Sequence, residues 1–317
     1  MTVLRIGAVT SAPTLAAPAS SSPFADALAV ARYHIVLVAM TAAVVFGWLM
    51  TGRYPWAIVP LVGLDWFLIN LMNRVTDIDE DTRNGIRGTA RVARHKRALT
   101  VASFAVMIGS IAAVHAVLPG LTPYRVAVHV IGLGYNYDIV PTPRGLSRFK
   151  EIYFFKNFGS SVLFVLTCFA YPLAADAGAR TMPWAAIVAL VSFFVPFELT
   201  YEILYDLRDL KGDRAEGIPT YPVVHGVTTS RKIIDGLLIL SSAALVVGIA
   251  TRGLGVREAL MLVAPGAQLA FYRPRLRRGL TPRDCIVLTH LGTAQLVLFL
   301  VGTAIWRHAG LPGNVFL

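Results

Sequence analysis

Apolar and polar positions along this chain fall into long blocks. Apolar runs occur at about 34–50, 54–72, 99–119, 124–140, 157–176, 183–205, 233–251, 257–272 and 285–306. Most approach the roughly 20 residues that a helix needs to cross a hydrocarbon core, and they are too long for strands of a soluble sheet. The pattern predicts an all-α polytopic membrane protein of about nine transmembrane helices. The run at 124–140 is short and glycine-containing, so it is the weakest of these spans.

Composition agrees. The 317 residues are 56% hydrophobic and 15% charged, against about a quarter charged in soluble domains. Residues 1–27 are rich in Ala, Ser and Pro and predict a disordered or loosely attached tail, leaving one membrane domain over 28–317. The early apolar stretch Leu15-Ala16-Ala17, between Pro13 and Pro18, is too short for the core of a signal peptide.

The net charge of +11 could suggest nucleic acid, but its placement argues otherwise. Loops after the second, fourth, sixth and eighth runs are rich in Lys and Arg. Those after the first, third, fifth and seventh hold Arg53, Arg125, Arg180 and the pair Arg252 and Arg257. This alternation is a positive-inside signal that puts the N-terminus and the even-numbered loops on the cytoplasmic face. We expect a protein of a bacterial inner membrane, with the lipid bilayer as a partner and neither nucleic acid nor an obligate protein partner. Cys168 and Cys285 fall in separate spans without C-x-x-C spacing, which excludes a disulfide framework or zinc site. His34, His115, His129 and His290 lack metal-ligand spacing and read as packing residues. No G-x-S-x-G, Walker or Rossmann signature occurs.

Chemistry concentrates at the ends of two runs. After 183–205, Asp206, Asp209 and Asp213 follow a D-x-x-D-x-x-x-D spacing, which stacks them on one helical face. After 54–72, Asn73, Asp77 and Asp81 recur at four-residue steps. Like charges on one face repel unless a cation joins them, and Mg²⁺ with a substrate phosphate is the natural one. Glu198 and Glu202 extend the second cluster backwards, Glu198 lying roughly 12 Å deeper than Asp206 by helical rise. An acid there could orient an acceptor, take its proton, stabilise a cation, or pair structurally. Asp65 lies within the second run and either faces the bundle interior or is hydrated near an interface.

The paired motifs, with about four hydrophobic helices between them, resemble those of the UbiA superfamily of intramembrane prenyltransferases. The tail from Gly212 through Asp213, Arg214 and Gly217-Ile218-Pro219 to His225-Gly226 resembles the extended second motif of that family. The resemblance covers roughly 34–305 and implies a single helical bundle around a central cavity. It further implies Mg²⁺ on the carboxylates, a polyprenyl diphosphate whose ionisation gives an allylic cation, and a lipophilic acceptor. Basic residues would complete the diphosphate site: Arg148, Lys150 and Lys156, in a segment similar to the tyrosine-then-lysine segment of the family, with Tyr137 before them, Lys211 in the second cluster and Arg87 after the first. Each of these cations could instead serve topology.

The sequence also departs from the family. Arg74 follows Asn73 where many UbiA-type enzymes carry Asp, and Gly85-Ile86-Arg87-Gly88-Thr89-Ala90-Arg91 replaces an Arg-Pro segment. The leading expectation is a prenyltransferase acting on an aromatic, quinone-precursor or lipid acceptor. A membrane terpene cyclase, which needs no external acceptor, would use the same motifs. A cation or lipid transporter would instead place acids at mid-membrane on several helices, whereas most acids here sit at helix ends.

Overall fold

Away from water every backbone N–H and C=O must find a partner within the chain, and long apolar runs satisfy that need as helices. The computed structural model describes residues 22–143, 145–176 and 180–312, and it is built in this way. In chain order the helices are α1 (Pro23–Val30), α2 (Tyr33–Thr51), α3 (Val59–Thr76), α4 (Ile78–Arg83), α5 (Thr89–Arg94), α6 (Lys96–Val117) and α7 (Thr122–Asn136). A small antiparallel hairpin, β1 (Val140–Thr142) and β2 (Gly145–Ser147), follows. Then come α8 (Tyr153–Val165), α9 (Tyr171–Ala175), α10 (Trp184–Glu216), α11 (Tyr221–Ala250), α12 (Val263–Arg278) and α13 (Pro282–His308).

Among the described residues, six helices are long and apolar enough to cross a membrane: α2, α6, the rod 155–175, α10, α11 and α13. The other expected spans coincide with α3, α7 and the stretch 256–278. These carry buried polar groups, are shorter, or, in the last case, begin as a 3₁₀ helix through Leu262. The chain is an all-α polytopic membrane protein.

Several expectations are refined. Residues 1–21, including Leu15-Ala16-Ala17, lie outside the described residues, but Pro23–Val30 is helical rather than loose. It is tied to the first motif loop, where Arg87 Nε donates to Asp26 at 2.7 Å and Arg91 to the Pro23 carbonyl at 3.1 Å. The run at 124–140 ends as a helix at Asn136, and its tail enters the hairpin. Arg125 and Arg257, read as loop cations, are buried: Arg125 pairs with Asp65, and Arg257 pairs with Glu258 and lies over the Trp48 ring. Asp65 therefore faces the interior.

An aromatic core joins α2, α3, α8 and α10. Phe46 stacks on Phe169 with centroids 4.5 Å apart, and Trp66 meets Phe164 at 4.2 Å. Between α8 and α9 the helix widens into a π turn, Leu166–Ala170, one residue ahead of Tyr171-Pro172. The turn presents Thr167 to the Trp66 indole (3.1 Å) and Tyr171 to Asp65 (2.8 Å).

Candidate active site

A cavity of about 360 Å³ opens among α2, α3, α8, α10 and α13. One end is lined by the rings of Phe46, Trp66, Phe164, Phe193, Phe194 and Phe299. The other is charged, because α3 and α10 both deliver their polar ends there. On α10 the helical spacing holds: Glu198, Glu202, Asp206, Asp209 and Asp213 all line the cavity. From the first motif Asn73, Asp77 and Glu80 reach it, and Lys150 and Lys156 do so from the segment before and within α8.

Most of these acids are tied to a donor or cation. Asp77 accepts from Asn73 at 2.5 Å and pairs with Lys150 at 2.7 Å and Arg148 at 3.2 Å. Lys150 also reaches Glu80 at 2.9 Å. Asp206 pairs with Lys156 and accepts from Asn157 Nδ2 at 2.7 Å. Asp209 is held by Arg208, whose guanidinium lies over the Tyr205 ring. Glu198 accepts from the hydroxyls of Ser160 (2.9 Å) and Ser161. Asp213 differs: its Oδ2 is buried with no hydrogen-bond partner among the described residues.

Five sequence candidates do not line the cavity. Asp81 is turned away because α3 breaks at Asp77 (φ −102°, ψ 31°), which ends the four-residue periodicity; Asp81 pairs with Arg74 instead. Burial pushes its carboxyl up from the ordinary range, with Arg32 and Arg74 opposing the shift. Arg87 is engaged by Asp26. Tyr137, extended just past α7, packs on Phe104 and among Leu68, Met72 and Met107. Lys211 is exposed, since positions 206, 209 and 213 face inward and 211 falls on the opposite side of α10. Arg148 stands behind Asp77, outside the lining, and also bonds Glu151 at 2.8 Å. Burial acts upward on the Glu151 carboxyl, but bonds from Arg148 and Ser147 hold it below its usual value.

Sequence reasoning missed Arg32, Arg208, Glu80 and Asn157. Arg32 lines the charged end from a left-handed backbone position (φ 44°) just before α2, and nothing in the local pattern signals it. Asn157, directly after Lys156, was detectable as part of the same polar step.

No three His, Cys, Asp or Glu side chains among the described residues converge to cage a metal by themselves. The donor set still fits Mg²⁺, which takes oxygen ligands and completes its shell with phosphate and water. The orphaned Asp213 Oδ2 and the carboxylate oxygens of Asp77, Asp206 and Asp209 in the lining supply that kind of site.

Residues 147–300 match the UbiA prenyltransferase family. The digeranylgeranylglyceryl phosphate synthase of Haloquadratum walsbyi is 32% identical over 89 residues, a stretch spanning 28% of this chain and 31% of the relative's length. A UbiA homolog from Archaeoglobus fulgidus, solved bound to DMAPP and Mg²⁺, superposes with a TM-score of 0.63 at 16% identity, covering 88% of this chain and 98% of that one. The same homolog bound to GPP and Mg²⁺ gives 0.62 at 16% identity, covering 88% and 99%. The fold is thus that of a UbiA-type membrane bundle. The family match covers just under half of this chain, from the segment before α8 into α13.

Proposed function

We propose that this protein is a Mg²⁺-dependent intramembrane prenyltransferase that moves an isoprenoid group from a polyprenyl diphosphate to a lipophilic acceptor. The observation that supports the reading is that Asp77, Asp206, Asp209 and Asp213 line one aromatic-walled cavity together with Lys150 and Lys156. The names of the relatives support it, one being a prenyl-glyceryl phosphate synthase and the others having been solved with prenyl diphosphates and Mg²⁺. We further assign the charged end to the cytoplasmic side of an inner membrane.

Mg²⁺ held through Asn73, Asp77, Asp206, Asp209 and Asp213 would supply charge neutralisation that makes diphosphate a better leaving group. Lys150 and Lys156, now on Asp77 and Asp206, would meet the phosphate oxygens of a diphosphate bound at the same end. The allylic C–O bond breaks with its electron pair leaving on diphosphate. The cation that remains is shielded from water and faced by the rings of Trp66, Phe164 and Phe197. An electron pair of the acceptor forms the new bond, and the proton it releases passes to Glu202 or Glu198. Asp81, Arg87, Tyr137 and Lys211 act in this scheme as structural or surface residues.

The test uses protein purified in detergent with Mg²⁺ and geranyl, farnesyl or geranylgeranyl diphosphate, with and without quinone-precursor or lipid acceptors, and Asp209→Ala as control. Acceptor-dependent diphosphate release with a prenylated product is expected. A cyclic hydrocarbon or alcohol formed without acceptor, and lost in the control, would make the protein a terpene cyclase. Release under neither condition would overturn the enzyme reading.

A further inference from the structure

Beyond its charged end the cavity does not turn uniformly apolar. Two helical turns along α10 from Asp206, roughly 12 Å by helical rise, stands Glu198, and Ser160, Tyr201 and Gln295 line the same cavity. Both polar side-chain atoms of the Gln295 amide are buried without a hydrogen-bond partner among the described residues, and so is the Tyr201 hydroxyl. That hydroxyl stands over Gly292, where an added Cβ would lie 2.9 Å from it. Gly292 and Gln295 are three residues apart on α13 and so share one face. Glu198, by contrast, is already engaged by two serines.

A buried amide and a buried hydroxyl with nothing to bond destabilise the fold that holds them. A leucine at 295 and a phenylalanine at 201 would fill the same space without that cost. The amide offers one kind of donor and one acceptor, and a hydroxyl is the smallest group that engages both. The cations of the cavity, Arg32, Lys150, Lys156 and Arg208, belong to its charged end. An anion at the depth of Gln295 would be desolvated beside Glu198 without a counter-ion.

We propose that Gln295 and Tyr201 are specificity residues that receive a neutral hydroxyl of the acceptor, an alcohol or phenol on an otherwise apolar body, and that this layer rejects a carboxylate or phosphate. Calling that molecule the acceptor rests on the prenyltransferase reading; the hydroxyl site itself does not.

The experiment measures binding of 4-butylphenol, its methyl ether and 4-butylbenzoate to the purified protein, to Gln295→Leu and to Tyr201→Phe. Geranyl diphosphate with Mg²⁺ is titrated in parallel. The phenol should bind the unaltered protein at least about tenfold more tightly than either analogue, and each substitution should weaken it about tenfold. Gln295→Leu should also raise the Tm of the ligand-free protein, which shows that the variant folds. Geranyl diphosphate binding should be unchanged in both variants. Equal binding of phenol and ether, tighter binding of the benzoate, or phenol binding indifferent to both substitutions would overturn the proposal. Protein that binds the phenol as expected but never binds geranyl diphosphate would sink the prenyltransferase reading and leave the hydroxyl site standing.

Discussion

The guanidinium of Arg74, wholly buried, grips Asp81 with one nitrogen and donates to the Arg87 carbonyl with another at 2.6 Å. An arginine at the second position of the first motif thus acts as an internal counter-ion, and the last acid of that motif is withdrawn from the cavity. Asn73, Asp77 and Glu80 are what the segment offers to a ligand.

Asp81 and Asp77 should therefore behave differently. Asp81→Asn leaves a buried arginine without its carboxylate, a change on the order of 3 kcal/mol. We expect a marked fall in Tm with Mg²⁺-dependent retention of geranyl diphosphate preserved in the protein that remains folded. Asp77→Asn should lower that retention about tenfold or more. Equal loss of Mg²⁺ dependence in the two variants would return Asp81 to the metal set.

Lys156 competes with any cation for Asp206, to which it is paired. Replacing it with methionine keeps the length of the side chain and frees the carboxylate. Mg²⁺ measured by calorimetry without diphosphate should then bind more tightly than to the unaltered protein, while geranyl diphosphate in saturating Mg²⁺ should bind more weakly. The opposite signs distinguish a phosphate ligand from a lysine that only neutralises Asp206, which would leave diphosphate affinity unchanged.

Much of this arrangement was legible in the sequence for simple reasons. Spanning length fixed the helical class, and the three- and four-residue spacing on α10 survives because that helix continues unbroken to Glu216, past the last acid. The same argument failed on the first motif because Asp77 ends α3, and periodicity has no meaning across a break in the helix. Tyr137 and Lys211 fall outside the cavity lining because sequence proximity to a motif does not give the direction of a side chain. Arg125 and Arg257 read as loop charges since no spacing rule reveals that Asp65 and the adjacent Glu258 await them in the interior. The orphaned groups at Gln295 and Tyr201 are properties of packing and have no sequence signal.

The two motif segments also meet directly. Glu216, at the end of α10, pairs with Arg83 of α4, and a Cβ at Gly212 would lie 2.5 Å from the Asn84 side-chain amide. In an isolated helix Gly→Ala gains about 1 kcal/mol. Here the added methyl must first displace the Asn84 side chain, so Gly212→Ala should lose that gain and weaken diphosphate binding. Asn84→Ala should be mild alone and should restore Gly212→Ala, a coupling that a double-mutant cycle on Tm reads directly. Additive effects would show that the close approach has no energetic consequence.

The deepest charges test a different idea. Asp65 accepts from Arg125 at 2.5 and 3.1 Å, from Tyr171 at 2.8 Å, and lies 3.1 Å from His129 Nε2; Arg125 also donates to the Ser110 carbonyl at 2.9 Å. Both charged groups are fully buried, and the network braces α3 against α7 and the π turn beside Trp66. Such a pair contributes little over an apolar replacement, yet breaking it leaves one charge stranded in a medium that cannot solvate it. Asp65→Leu and Arg125→Met should each cost about 3–5 kcal/mol, visible as a collapse of Tm in detergent. The double variant should recover most of that loss, because neither charge is left alone. If the double variant is as unstable as the singles while folding to the same helical content, the network supplies positioning that apolar packing cannot replace, and the aromatic wall at Trp66 should then show it as a changed indole fluorescence.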